Sequence, residues 1–120
     1  MRIDGYLDYL ELPAPDIEAS KRFCGQVFGW TFSDYGLEYC EFNAHGRGGG
    51  FAADRKALAG GGALAVLCAN DLDAMETRVR DTGAEITGRR EFPGGRRFHF
   101  RDPNGNEIAV WSDKWICQRA

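Results

Sequence analysis

Two helical stretches of this chain start and stop in step. The first opens on Asp16, a good N-cap, sets Ile17, Phe23, Cys24, Val27 and Phe28 on one stripe and ends at Gly29. The second opens on Asp71, sets Leu72, Met75 and Val79 on a stripe, carries Glu76 four residues before Arg80, and stops at Gly83. The two caps are 55 residues apart and the two terminal glycines 54. A strand-like run precedes each helix, Tyr6–Leu12 and Ala63–Ala69, and three more follow it. In the first half these are Trp30–Asp34, Leu37–Asn43 and Gly50–Asp54; in the second, Glu85–Phe92, Arg97–Arg101 and Glu107–Trp111. The order βαβββ therefore occurs twice, and a duplicated unit accounts for all of these landmarks. Glycines at 46–50, 60–62 and 94–95 read as turns, with Gly60–Gly62 linking a module at 1–59 to one at 63–120 in a single α+β domain. A four-stranded sheet with one helix on it covers only one of its faces, so two such units pair their open faces or curl around a shared cleft. Such a cleft is a usual place for a small ligand.

Composition narrows the classes. With 43% apolar and 28% charged residues in 120, the chain has enough to bury for one core and too little charge excess for disorder. A net charge of -3 removes the broad attraction to phosphate that a nucleic-acid or anionic-membrane binder shows. The longest apolar run, Ala63–Ala69, is too short to cross a bilayer, and Arg2–Tyr9 lacks the apolar stretch of a signal peptide, so a cytoplasmic protein is expected. Four cysteines without a C-x-x-C pair predict reduced thiols, with Cys24, Cys40 and Cys68 as small core residues and Cys117, in a polar tail, the exception. The two histidines, His45 and His99, are too few for a three-histidine zinc site. Gly46–Gly50 has no helix cap or lysine after it and is not a phosphate loop.

Two stretches carry a family likeness: Leu12–Phe32, LPAPDIEASKRFCGQVFGWTF, and Phe98–Trp111, FHFRDPNGNEIAVW, with its Asp-Pro-Asn-Gly-Asn turn before the last strand. They resemble the vicinal oxygen chelate superfamily, which includes glyoxalases, bleomycin resistance proteins and extradiol dioxygenases, and the likeness runs over nearly the whole chain. It implies that the two βαβββ modules form an incomplete eight-stranded barrel around a cleft, and that short members pair as homodimers. It also implies a divalent metal held by His and Glu side chains at positions fixed by the landmarks. Counting seven back from each helix-capping Asp region gives Tyr9 and Leu64, and seven on from Asp102 gives Ala109. A further ligand of some members falls near Phe51–Asp54, where Asp54 stands 55 before Ala109. None of Tyr9, Leu64 and Ala109 is the ligand the resemblance calls for, so neither metal nor other cofactor is expected. Glu107 does not take over from Ala109, because two residues along a strand is about 6.5 to 7 Å, far longer than a metal–oxygen bond.

Period-two alternation gives a substitute lining. If Tyr9 marks the inward face, Leu7, Glu11 and Pro13 share it, while Leu10 and Leu12 meet the helix. Leu64, Val66 and Cys68 face inward from the fifth strand and Glu107, Ala109 and Trp111 from the eighth; in the seventh, Phe98 and Phe100 suit the helix, which sends Arg97, His99 and Arg101 the other way. The candidate ligand-binding set is Tyr9, Glu11, Arg97, His99, Glu107 and Trp111, suited to a flat or amphipathic organic molecule with an anionic or hydrogen-bonding group. Ordinary alternatives stand beside it: Tyr9 as a core aromatic, His99 as a strand-surface residue, Glu107 as a cleft-mouth carboxylate. Arg97 and Arg101 also read as rim charges, and Arg89, Arg90, Arg96 and Arg97 as a solvated hairpin around Pro93-Gly94-Gly95. The expected function is metal-free binding of a hydrophobic or aromatic compound, for sequestration or sensing. One alternative is a glyoxalase-like lyase, isomerase or dioxygenase with a rearranged metal site, or metal-free acid and base chemistry on Glu11, His99 or Glu107. Another is a partner module whose cleft its own side chains fill.

Overall fold

The computed structural model describes residues 3–58 and 60–113. The chain divides into two compact units, Met1–Ala57 and Leu58–Ala120. The first holds β1 (Leu10–Pro13), α1 (Ile17–Phe28), β2 (Thr31–Asp34), β3 (Tyr39–Ala44) and β4 (Arg47–Ala52). The second holds β5 (Ala65–Cys68), α2 (Leu72–Asp81), β6 (Ile86–Phe92), β7 (Gly95–Arg101) and β8 (Glu107–Asp113). The first sheet runs β1-β4-β3-β2 and the second β5-β8-β7-β6, each with one parallel pair, β1 with β4 and β5 with β8, and antiparallel pairs otherwise. Both halves therefore have the βαβββ order and the same strand arrangement, an α+β fold.

Capping fixes both helices where the sequence places them. The Asp16 carboxylate accepts from the Ala19 amide at 3.1 Å and that of Asp71 from the Ala74 amide at 3.0 Å, each meeting an amide that the first turn leaves unbonded. Gly29, at φ 75, closes α1 in the left-handed region; α2 stops at Thr82, with Gly83 beyond it at φ 90. The buried stripe of α1 meets an aromatic cluster in which Trp30 stacks on Phe42 at 4.7 Å and Phe42 lies 5.0 Å from Phe51. In the second unit Leu72 and Val79 of α2 are buried, as are Phe98, Phe100, Ile108 and Val110 on the strands. Each such large side chain contributes about 1.5 to 3 kcal/mol of burial free energy.

Three local expectations change. First, β1 begins at Leu10 rather than Tyr6, because its ladder with β4 starts at Leu10 opposite Gly49; residues 3–9 are exposed, and Leu10 itself is 39% exposed rather than packed on the helix. Second, Gly48–Gly50 are strand and not turn. The turn is Ala44–Arg47, where His45 and Gly46 have φ 54 and 100 and the Gly46 amide donates to Asn43 Oδ1 at 2.7 Å. The glycines are needed inside β4 because a Cβ at Gly49 collides with the Phe42 ring and one at Gly50 with the Tyr39 phenol. Third, Cys68 is exposed and disulfide-bonded, not a reduced core residue: β5 is an edge strand and Cys68 shares the exposed face of Val66. Cys24 and Cys40 are buried thiols as expected; burial, then the neighbouring Asp34, pushes the Cys40 thiol up to about 11. Cys117 lies outside the described residues.

Candidate active or binding faces

In each unit the helix covers one face of the sheet, and the candidate residues lie on the other. On the first sheet, Cys40, Phe42 and Phe51 are buried on the helix side, which leaves Tyr39 and Glu41 of β3 and Gly50 of β4 on the face of Tyr9 and Glu11. The hydroxyls of Tyr9 and Tyr39 are 2.7 Å apart, and the Tyr39 phenol occupies the space over Gly50. Burial first, then hydrogen bonding to Tyr9 and Glu11, raises the Tyr39 phenol above its ordinary range. Tyr39 stays protonated at neutral pH, so it acts there as a hydrogen-bonding group and not as an anion. Sequence reasoning passed over Tyr39, although burial of Cys40 and Phe42 would have assigned its face by alternation.

On the second sheet the strands bring four candidates together. Arg97 and Trp111 are register partners on β7 and β8, as are His99 and Ala109, and Arg101 and Glu107. Glu107 Oε2 lies 2.8 Å from His99 Nδ1, a diagonal pair across the same two strands. A carboxylate there accepts from the Nδ1 hydrogen, so the neutral ring presents a lone pair at Nε2. His99 is 6% exposed, and its Nε2 is buried without a hydrogen-bond partner, as is the Nε of Arg97. His99 is therefore not a solvated strand-surface residue. Trp111 is half-buried, its ring 6.3 Å from Phe92 of β6. The face thus combines an imidazole held by a carboxylate, an aromatic pair and guanidinium groups: hydrogen bonding, stacking and proton acceptance are all within its chemistry.

Other polar features are committed to structure. Asp102 Oδ1 accepts from the amides of Asn104 and Asn106 at 2.9 and 2.8 Å, and its Oδ2 from the Asn106 side chain at 2.9 Å, which makes the Asp-Pro-Asn-Gly-Asn motif a self-bonded turn. Burial raises the Asp102 carboxyl in spite of those donors. A hollow at the start of α1 is lined by Asp16, Glu18, Asp34 and Leu37 among others, but Asp16 caps the helix and Lys21 pairs with Asp34 at 2.8 Å and with Glu18 at 3.5 Å. His45 is bonded to the Phe28 carbonyl at 2.7 Å.

A sequence model described as the Glyoxalase/Bleomycin resistance protein/Dioxygenase superfamily matches residues 6–110. The chain belongs to this superfamily. No curated protein matches it in sequence. Among solved structures, a lactoylglutathione lyase from Agrobacterium tumefaciens is 20% identical with a TM-score of 0.72, covering 92% of this chain and 95% of that one. A variant of FosX, a fosfomycin resistance protein from Listeria monocytogenes, in complex with Mn(II) and a dihydroxypropylphosphonic acid, is 16% identical with a TM-score of 0.75 over 91% and 90%. TnmS3, an antibiotic binding protein from a Streptomyces species, is 22% identical with a TM-score of 0.74 over 95% and 99%. At these identities the likeness shows the glyoxalase-like fold and no more.

Within the superfamily's frame, the repeat corrects one position. Glu11 pairs with Gly50 in the first unit as Val66 pairs with Ala109 in the second, so the counterpart of Ala109 is Gly50 and not Asp54. The positions at which the resemblance implies metal ligands are then Tyr9, Gly50, Leu64 and Ala109. One is a phenol already bonded to Tyr39, and the other three side chains offer no donor. Among the described residues there is no cluster of three or more His, Cys, Asp or Glu able to hold a metal ion. This donor set does not fit a divalent metal.

Proposed function

We propose that this superfamily member binds a small, flat organic molecule on the helix-free face of its second sheet without holding a metal, and so sequesters or senses that compound. Arg97, His99, Glu107 and Trp111 form the polar and aromatic surface there, with Tyr9 and Glu11 the corresponding candidates on the first sheet. The observation that carries the reading is His99: nearly buried, fixed by Glu107, with Nε2 lacking any partner among the described residues. A buried nitrogen left unbonded costs free energy that a ligand hydrogen bond removes. TnmS3, of the same fold, is an antibiotic binding protein, which is the kind of role proposed. The test is titration with N-phenyl-1-naphthylamine, a neutral flat fluorophore. Trp111→Ala should weaken its binding by about 1 kcal/mol or more; unchanged affinity overturns the aromatic part of the site.

A second reading has one specific observation in its favour. The Glu107–His99 pair leaves Nε2 as the acceptor, the arrangement a general base requires. Acid and base chemistry at His99 without a metal predicts conversion of a bound compound, followed by mass spectrometry, that His99→Gln stops while binding persists.

We also propose that two chains pair as a homodimer. The edge strands β1 and β5 are short and bear the exposed apolar side chains Leu10 and Val66, with Leu7 and Leu64 just before them, and pairing covers such edges. No helix among the described residues is long and apolar enough to cross a membrane.

A further inference from the structure

The four arginines around the Pro93–Gly95 turn are sorted by face. Arg89 and Arg96 lie on the helix side and are paired with α2: Arg89 Nε to Glu76 Oε1 at 3.1 Å, Arg96 Nη1 to Asp73 Oδ1 at 3.1 Å. The alternate residues Arg90 and Arg97 are register partners on β6 and β7, facing away from the helix, and neither forms an ion pair among the described residues. Like charges directly opposite one another across a ladder destabilise it. Arg97 adds a second cost, since its Nε is buried without a partner.

Beside this pair the sheet has one position without a side chain. In the next row of the ladder Gly88 stands opposite His99, and a Cβ built on Gly88 meets nothing within 4 Å, so the sheet has an open floor beside Arg90, Arg97 and His99. His99, more than nine-tenths buried, carries a second unbonded nitrogen on the same face of the sheet. On the other side of Arg97 in register is Trp111, with Phe92 beside it. An oxyanion between the two guanidinium forks offsets their repulsion and supplies the missing acceptor for Arg97, while an attached ring lies against the aromatic pair.

We infer that Arg90 and Arg97 form an oxyanion subsite, and that the ligand is a flat aromatic molecule bearing a carboxylate, sulfonate or phosphonate group. This inference rests on the binding function proposed above and names its ligand class. The experiment compares 8-anilinonaphthalene-1-sulfonate with N-phenyl-1-naphthylamine, which has the same rings and no sulfonate, by fluorescence titration. The protein should bind the sulfonate about tenfold tighter or more. Arg90→Gln with Arg97→Gln should abolish that preference by weakening the sulfonate's binding, while the neutral probe continues to bind. Arg89→Gln with Arg96→Gln removes the same charge from the helix side and should keep the preference. Thermal melting of the Arg90 and Arg97 variant should show a midpoint equal to or above the parent's, since like-charge opposition is removed. Equal affinity of the parent for both probes overturns the subsite, as does an equal loss in the two double variants or a loss of both probes in the first. Trp111→Ala separates this from the underlying reading: if it weakens neither probe while the arginine dependence persists, the aromatic site fails and the oxyanion subsite stands.

Discussion

At the scale of single residues, the first sheet is organised around an absence of side chain. Gly50 makes room for Tyr39, whose hydroxyl meets Tyr9. Gly50→Ala should therefore cost about 1 to 3 kcal/mol in urea denaturation through overpacking, and Tyr39→Ala in the same background should recover much of it. The raised Tyr39 phenol has its own signature. The folded chain keeps that proton at pH values where the unfolded chain loses it, near the ordinary 10.0, so stability from this group is intact below that pH and falls as pH rises above it. Alkaline denaturation of Tyr39→Phe should be shallower, and spectrophotometric titration should show one late-ionising phenol missing. Alternation alone makes the faces of Tyr9, Glu11, His99 and Glu107 legible in the sequence. The face of Tyr39 is within reach of the same alternation through Cys40 and Phe42, but its seat over Gly50 is not, because nothing in a glycine run reveals the ring it admits.

Among the elements, α2 depends more on its ends and its charges than on its buried stripe. Only Leu72 and Val79 are buried there, whereas α1 buries Ile17, Ser20, Phe23, Cys24 and Val27. Asp71→Ala should cost about 1 kcal/mol in chemical denaturation, the usual value of an N-cap. The turn after β7 is a comparable brace: Asp102→Ala loses three hydrogen bonds and should cost about 2 kcal/mol or more, while Asp102→Asn, which keeps the Oδ1 acceptor, should cost less. Both helices were legible from caps and spacing because those signals are local. The face of Arg90 was not, since β6 carries Arg89, Arg90 and Glu91 in succession and offers no apolar alternation to orient it, and a register shift between Ile86 and Gly88 disturbs the count.

At the scale of the whole chain, the duplicated fold and the donor set at its equivalent positions are separate matters, and each can be tested. Elemental analysis of protein grown with zinc, manganese, nickel and iron should find well below one equivalent per chain; a full equivalent lost on Glu107→Gln would overturn the metal-free reading. Light scattering at micromolar concentration should give twice the monomer mass. The register of β1 with β4 explains why the fourth ligand position eluded counting: the glycine-rich strand absorbs spacing that landmarks in the other half do not. That strand also constrains which substitutions the first sheet accepts. A carboxylate side chain at position 50 collides with the Tyr39 phenol, and removing Tyr39 first leaves the Tyr9 hydroxyl without its bonded neighbour and a gap over Gly50. Either single change is opposed by packing or by hydrogen bonding on the first sheet, so positions 39 and 50 are coupled and tolerate change together better than one at a time.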